Sequence, residues 1–325
     1  FHATGFSHNW YAIHGNHDAL LQGTVRPDDV LNDLVTGDRK LAGLVEGADL
    51  GEVFAPFQEV GPADYPSGDL MTTVEVTADP ARRFVEMSDW VDIHQGCGHD
   101  HGVAADASVA YWVRDFGQVR VIALDTVNEW GGWQGCLDRT QFSWLQQILQ
   151  SSTDRYVVLT SHHPMQDLFN GFAPEGVEAP ALTDEVAELL GQYPNIIGWV
   201  SGHVHDHNIS FAKSTHGNWG FWQIRTGSHM DWPQQARVIE IAKTDDGRIA
   251  IGTQVFDHLG EQVLNLPQLA DTTEEQLSQP LYLAGVSRIL AANDWQRFEG
   301  GNSLEVLEGR PKDRNAWLWL VDPLR

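Results

Sequence analysis

HGNHDALLQG, residues 14–23, sets Gly, Asn, His and Asp in a row ahead of an apolar run. Alone, the stretch fits an ordinary polar turn, because Gly and Asn tolerate left-handed backbone angles and Asp can cap a following helix. Its meaning depends on the rest of the chain. Immediately before it, Trp10–Ile13 in NWYAIHGNHD reads as a short strand that runs into the turn. Further along, VRVIAL (119–124), YVVLT (156–160) and IIGWVS (196–201) are short, apolar, β-branched runs of the kind that form buried strands. Two helices with recognisable starts fall between them. Asp138 caps one whose Phe142, Leu145, Ile148 and Leu149 share a face, and Thr183 caps another that carries Val186, Leu189 and Leu190. Strand, helix and strand in alternation specify a layered α/β core.

Around that core the texture changes twice. Residues 24–105 are rich in Gly, Pro and Asp with weak periodicity, which reads as a long irregular insertion or lid. After residue 208, ISFAK, GFWQIRT, ARVIEIA and RIAIGTQVF are four strand-like runs separated by turn residues, read as an antiparallel set. The expected organisation is a core over 1–260 that includes the 24–105 insertion, followed by a mainly helical extension over 261–325.

Composition narrows the function. With 45 acidic against 20 basic residues, the formal charge of -25 argues against nucleic acid as a partner, since that affinity rests on basic patches. Nothing approaches eighteen consecutive apolar residues, so no membrane span is expected. The two cysteines, Cys97 and Cys136, supply neither a disulfide framework nor a cysteine zinc site, and leave room for one disulfide. The oligomeric state is not specified by these features.

Three polar clusters follow directly on strand runs: Gly15-Asn16-His17-Asp18, Ser161-His162-His163-Pro164 and Gly202-His203-Val204-His205. Strand ends are where α/β sheets gather their sites. If the third cluster stays extended, His203 and His205 point to one side, with His207 next. Of the adjacent His162 and His163, only one faces a given metal easily. Neutral imidazole and the Asn carbonyl oxygen suit borderline or harder ions such as Zn, Mn and Fe, and together they favour a metal hydrolase over a thiolate site.

GNHD, then an apolar strand ending in HHP, then one ending in GHxH, resembles the calcineurin-like metallophosphoesterases. The resemblance implies a four-layer α/β/β/α sandwich of the metallo-dependent phosphatase type. It also implies that Asn16, His162 and His203 bind one of two metal ions and His205 the other, while His17, paired with Asp18, lies beside the scissile phosphate. The implied reaction is hydrolysis of a small phosphate ester by a hydroxide that bridges two divalent or trivalent ions of Mn, Fe or Zn. More narrowly, WYAIHGNHDALLQGT, VRVIALDTVN, GGWQGCLDRTQFSWL and SHMDWPQQARVIEI resemble a bacterial subgroup with long insertions and a typical twin-arginine export signal. That resemblance implies an exported, periplasmic or extracellular protein.

Family members carry an Asp-x-His and a Gly-Asp motif upstream of GNHD, which supply further ligands. The sequence begins at Phe1 with no room for either, so a longer natural product with an upstream segment is the expectation. Asp92-Ile93-His94 and Gly98-His99-Asp100-His101 imitate family motifs without following a strand run. His99, His163, His229 and Asp125 are candidates for substrate or supporting contacts, and substrate stacking by Trp130, Trp133 or Trp232 has no support in the pattern. Alternative readings are a cyclic-nucleotide or glycerophosphodiester phosphodiesterase, a one-metal hydrolase built on His162, His203 and His205, and a non-catalytic relative without a complete metal centre.

Overall fold

The computed structural model describes residues 5–49, 51, 71–96, 101–258, 273–277, 279–294 and 304–325. Its strands are β1 (Arg39–Leu44), β2 (Met71–Glu75), β3 (Trp112–Phe116), β4 (Val119–Leu124), β5 (Tyr156–Ser161), β6 (Ile196–Ser201), β7 (Asn208–Lys213), β8 (Gly220–Arg225), β9 (Gln235–Lys243), β10 (Arg248–Asp257) and β11 (Ala316–Val321). A six-stranded sheet has the order β3-β4-β5-β6-β8-β7. It is mixed, because β8 runs parallel to β6 and antiparallel to β7. A second, three-stranded sheet has the order β11-β10-β9 and is antiparallel throughout. The architecture is mixed α/β with a central mixed sheet, as the sequence pattern requires.

The three buried-strand runs sit where the pattern puts them, at β4, β5 and β6. Asp138 caps the helix Arg139–Gln150 by accepting the Gln141 amide at 2.9 Å, and Leu145 and Leu149 on its inner face are fully buried. Thr183 does not act as a cap. It is the first residue of the helix Thr183–Leu190, and its hydroxyl donates to the Met165 and Leu168 carbonyls instead.

Two compact units divide the chain. The first comprises residues 1–115, 121–151 and 161–189, and the second comprises 116–120, 152–160 and 190–325. One core of the first unit gathers Trp90, Val91, Val103, Ala110, Trp112 and Ala123 against Tyr11, Ala12 and Ile13. Trp10–Ile13 forms no strand. The Ala12 amide donates to the His101 carbonyl and the Trp112 indole to the Ala12 carbonyl, but no repeating ladder follows. The described part of 24–105 holds regular elements: a helix Asp29–Thr36 capped by Asp28, the β1–β2 hairpin, and a helix Met87–Gly96 that supplies Trp90 and Val91 to the core.

In the second unit two sheets face each other. Tyr156, Ile197 and Ile224 pack on Ile249, Ile251 and Leu318. Each such aliphatic side chain, taken from water, contributes about 1.5–3 kcal/mol. The four runs after residue 208 are therefore not one antiparallel set, since β7 and β8 extend the mixed sheet while β9 and β10 join the second. The tail also holds a strand beside its helices. AWLWLV forms β11, burying Leu318 while Trp317 and Trp319 stay exposed, and Gly252 lets the Trp317 ring lie over its backbone, since a Cβ there would meet the ring at 2.8 Å. Helices Pro280–Ala292 and Pro311–Arg314 account for other described parts of that tail. Among the described residues no helix is long and apolar enough to cross a membrane.

Candidate functional site

In the first unit, Asn16–Ala19 forms a single helical turn entered through an extended Gly15. The Asp18 carboxylate accepts the Gly15 amide at 2.7 Å, stapling the turn. It is directed at backbone and not at His17, so the expected His17–Asp18 pair is not formed; both side chains are exposed. Asn16 is 3% exposed, and its Nδ2 donates to the Gly23 carbonyl at 2.8 Å. Glycine suits position 23, where φ is +70° and a Cβ would lie 2.6 Å from Asn16 Nδ2 and His17 Nε2 and force them to shift. Gly15 likewise admits His162, whose Nδ1 lies 2.9 Å from where a Cβ would stand. The turn thus sets Gly15 against His162 and Gly23 against Asn16 and His17.

His162 and His163, just past β5, have ring centroids 4.9 Å apart and nearly perpendicular planes. Their possible ligand nitrogens lie within 4.8 Å of each other. They differ in use. His163 is fully buried, its Nδ1 accepts the Thr126 hydroxyl at 2.8 Å and its Nε2 donates to the Trp133 carbonyl at 2.9 Å. Burial, opposed only in part by the Trp133 bond, pushes its pKa down to about 4. His163 is a neutral support for the loop, with both nitrogens engaged.

Asp125, just past β4, accepts from His14 Nδ1 at 3.1 Å and from the Val127 amide. The sequence reading passed over His14 although it opens the quoted stretch, for a lone His carries no pattern until its carboxylate partner is known. Burial disfavours its protonation, but the Asp125 hydrogen bond and charge outweigh this and raise its pKa. Asp125 also lines a cleft of about 340 Å³ with Tyr111, Glu129, Trp130 and Cys136. Burial above all pushes the Cys136 thiol up to about 12, and Cys97 lies outside the described residues. The motif imitations are structural where described: His94 bonds the Trp90 carbonyl within its helix, and buried His101 bonds the Trp10 carbonyl and stacks on the Trp10 ring. Asp92 is exposed on that helix, and His99 lies outside the described residues. Trp130 is covered by the Arg26 guanidinium at 4.1 Å, and Trp232 by Arg288 at 4.7 Å.

In the second unit, β6 ends at Ser201 and the chain turns sharply. His203 and His205 have φ of +68° and +61°, and Val204 N donates to Gly202 O at 2.8 Å around His203. These are sparsely populated conformations for residues with a Cβ, of a kind that clusters at functional sites. The strand-alternation argument therefore fails for this cluster, which is a tight turn. His205 gives its Nδ1–H to Asp231, leaving the lone pair on Nε2. Asp231 was missed, since it lies 26 residues away across two strands. His207 is no third ligand: it is 1% exposed, its Nε2 donates to Gln235, and its Nδ1 accepts from the Gly227 amide and Arg237. Burial, aided by Arg237, pushes its pKa down to about 4. His229 is exposed. Asp206 is held by Arg225.

Asn16 Oδ1 bears on whether such residues fit a metal. It is buried and has no hydrogen-bond partner. A carbonyl oxygen only accepts, and a buried acceptor without a donor costs about 1–3 kcal/mol. A hard or borderline cation is a partner of the right character for it, and for the Nε2 of His205.

Comparison with known proteins assigns a family. The family model described as calcineurin-like phosphoesterase matches residues 2–207. No curated protein matches. Among solved structures, a dimetal phosphatase from Danio rerio is similar at 14% identity over 50% of this chain and 63% of that one, with a TM-score of 0.36. A purple acid phosphatase from yellow lupin (Lupinus luteus) seeds is similar at 12% identity over 50% of this chain and 33% of its own, with a TM-score of 0.29. This chain thus spans less than two thirds of either structure. On the family match over most of its first two hundred residues, the chain belongs to the calcineurin-like phosphoesterase family.

Proposed function

We propose that this protein hydrolyses a small phosphate ester with two bound metal ions of the Mn, Fe or Zn type. Asn16, His162 and His203 are the proposed donors to one ion and His205 to the other. The observation that carries the reading is Asn16: within a GNHD turn of a phosphoesterase family member, its carbonyl oxygen is buried without a partner.

Metal ions held by these residues would supply Lewis-acid polarisation of a phosphoryl group and activation of water. The remaining steps belong to the chain. Asn16 is locked in one orientation by its Nδ2 bond to Gly23, so its oxygen needs no rearrangement on binding. Asp231 fixes the His205 tautomer and strengthens Nε2 as a donor. His17 stands exposed on a turn fixed by Asp18, and as an imidazolium it can hydrogen-bond a phosphoryl oxygen or give its proton to the leaving oxygen. On a protein whose formal charge is -25, metal ions held by these residues would also offset the repulsion of phosphate. The narrower bacterial resemblance supports an exported protein.

The test is hydrolysis of p-nitrophenyl phosphate and bis-p-nitrophenyl phosphate by the complete gene product, with Mn²⁺ or Zn²⁺ and after chelation. Chelator-sensitive turnover of either ester upholds the reading and names the ester class. Metal-independent turnover, or none with metal bound, refutes it.

A further inference from the structure

Three observations in the first unit converge on His14. The ring is 1% exposed and packs against Trp90, with centroids 5.3 Å apart and planes at 69°. Its Nδ1 lies 3.1 Å from Asp125 Oδ1. The Asp125 backbone is pinned at both its amide, which donates to Gln141 Oε1, and its carbonyl, which accepts Gln141 Nε2, and its Oδ1 also accepts the Val127 amide at 3.1 Å. An ionised carboxylate only accepts, so Nδ1 carries the proton and, in the neutral imidazole, the lone pair sits on Nε2. That Nε2 is buried and has no partner.

Two residues along, Asn16 Oδ1 is in the same condition. Buried polar atoms are mostly satisfied in folded proteins, and an electron-pair acceptor would satisfy both of these, two residues apart in the chain. His163 gives the contrast, since Thr126 and the Trp133 carbonyl take up both its nitrogens. An imidazole held at one nitrogen by a carboxylate and open at the other is how proteins orient metal-binding histidines.

We propose that His14 is a metal ligand through Nε2, with Asp125 as its positioning residue. This rests on the metal-dependent reading above and adds a donor that the GNHD pattern does not contain.

The test loads the complete gene product with Co²⁺ and follows proton NMR and Co²⁺ affinity. Each ligating imidazole gives one strongly shifted exchangeable signal from its other ring N–H, and burial with the Asp125 hydrogen bond protects that of His14 from exchange with solvent. His14→Phe, which keeps the ring packing, is expected to lose one such signal and at least about tenfold in affinity; Asp125→Asn is expected to shift one signal and weaken binding several-fold. Unchanged signals and affinity in His14→Phe, with lower stability in chelator, overturn the proposal and make the ring a packing partner of Trp90. If His14→Phe does not fold, Asp125→Asn decides by the same criteria. A wild type that takes up no Co²⁺ overturns this proposal and the proposed function together, whereas wild-type uptake that His14→Phe leaves unaltered overturns this proposal alone.

Discussion

Asn16→Leu separates a metal-binding role for Asn16 from a structural one by a change of sign. Leu matches Asn in shape and removes the buried, unpartnered Oδ1. In metal-free protein that relieves about 1–3 kcal/mol of desolvation cost. The same substitution removes the Nδ2 bond to the Gly23 carbonyl, a loss of about 1 kcal/mol. The metal-free variant should therefore be as stable as wild type or up to about 2 kcal/mol more stable. With metal at a hundred times its dissociation constant, wild type gains about 2.7 kcal/mol, and the variant, lacking a ligand, gains much less. The order of stability inverts. Urea unfolding with EDTA and then with Mn²⁺ measures both differences. A variant that is less stable than wild type by more than about 1 kcal/mol in EDTA, or that gains as much from Mn²⁺, refutes the assignment of Oδ1 to a cation.

Other predictions follow from neighbouring contacts. Gly23→Ala places a Cβ 2.6 Å from Asn16 Nδ2 and His17 Nε2 at a φ of +70°, so metal content and phosphatase turnover should both fall, measured by elemental analysis and p-nitrophenyl phosphate hydrolysis. Asp231→Ala frees His205 Nδ1 and should weaken metal binding by about 10- to 100-fold without unfolding the protein, as isothermal titration would read. Asp322 accepts from the Tyr156 hydroxyl and the Leu324 amide and pairs with Lys243; burial opposes its ionisation, but these partners outweigh it and hold its pKa below the usual carboxylate range. A carboxyl lowered on folding stabilises above its unfolded pKa and loses that contribution as pH falls through the folded value. Asp322→Asn should therefore cost about 1–3 kcal/mol at pH 7 and progressively less below pH 4. A constant difference from pH 7 to 3 in urea unfolding would count against this.

The strands at 119–124, 156–161 and 196–201 were legible because burial on both faces leaves a continuous apolar signature, and Asp138 was legible because capping is a local interaction. β11 was not, since AWLWLV gains its strand identity by pairing with β10, remote in sequence. The same distance hides sheet membership: β8 joins β6 in parallel and β9 joins β10, and nothing in either run tells which. GNHD and the two His clusters could be read as clusters, yet roles within them depend on hydrogen bonds that no spacing records. His163 and His207 spend their nitrogens on support, whereas His14 and Asn16 keep one acceptor each open. The alternation argument failed at His203 and His205 because the chain turns with positive φ just past Ser201. His–carboxylate partners such as Asp125 and Asp231 become visible only once loops are folded.

The most direct test of the account is metal stoichiometry of the purified complete gene product by elemental analysis, paired with p-nitrophenyl phosphate turnover on the same sample. The account predicts two equivalents of Mn, Fe or Zn, with turnover that disappears on chelation and returns with added metal. A folded protein that holds no metal under saturating conditions and hydrolyses neither a monoester nor a diester would contradict it.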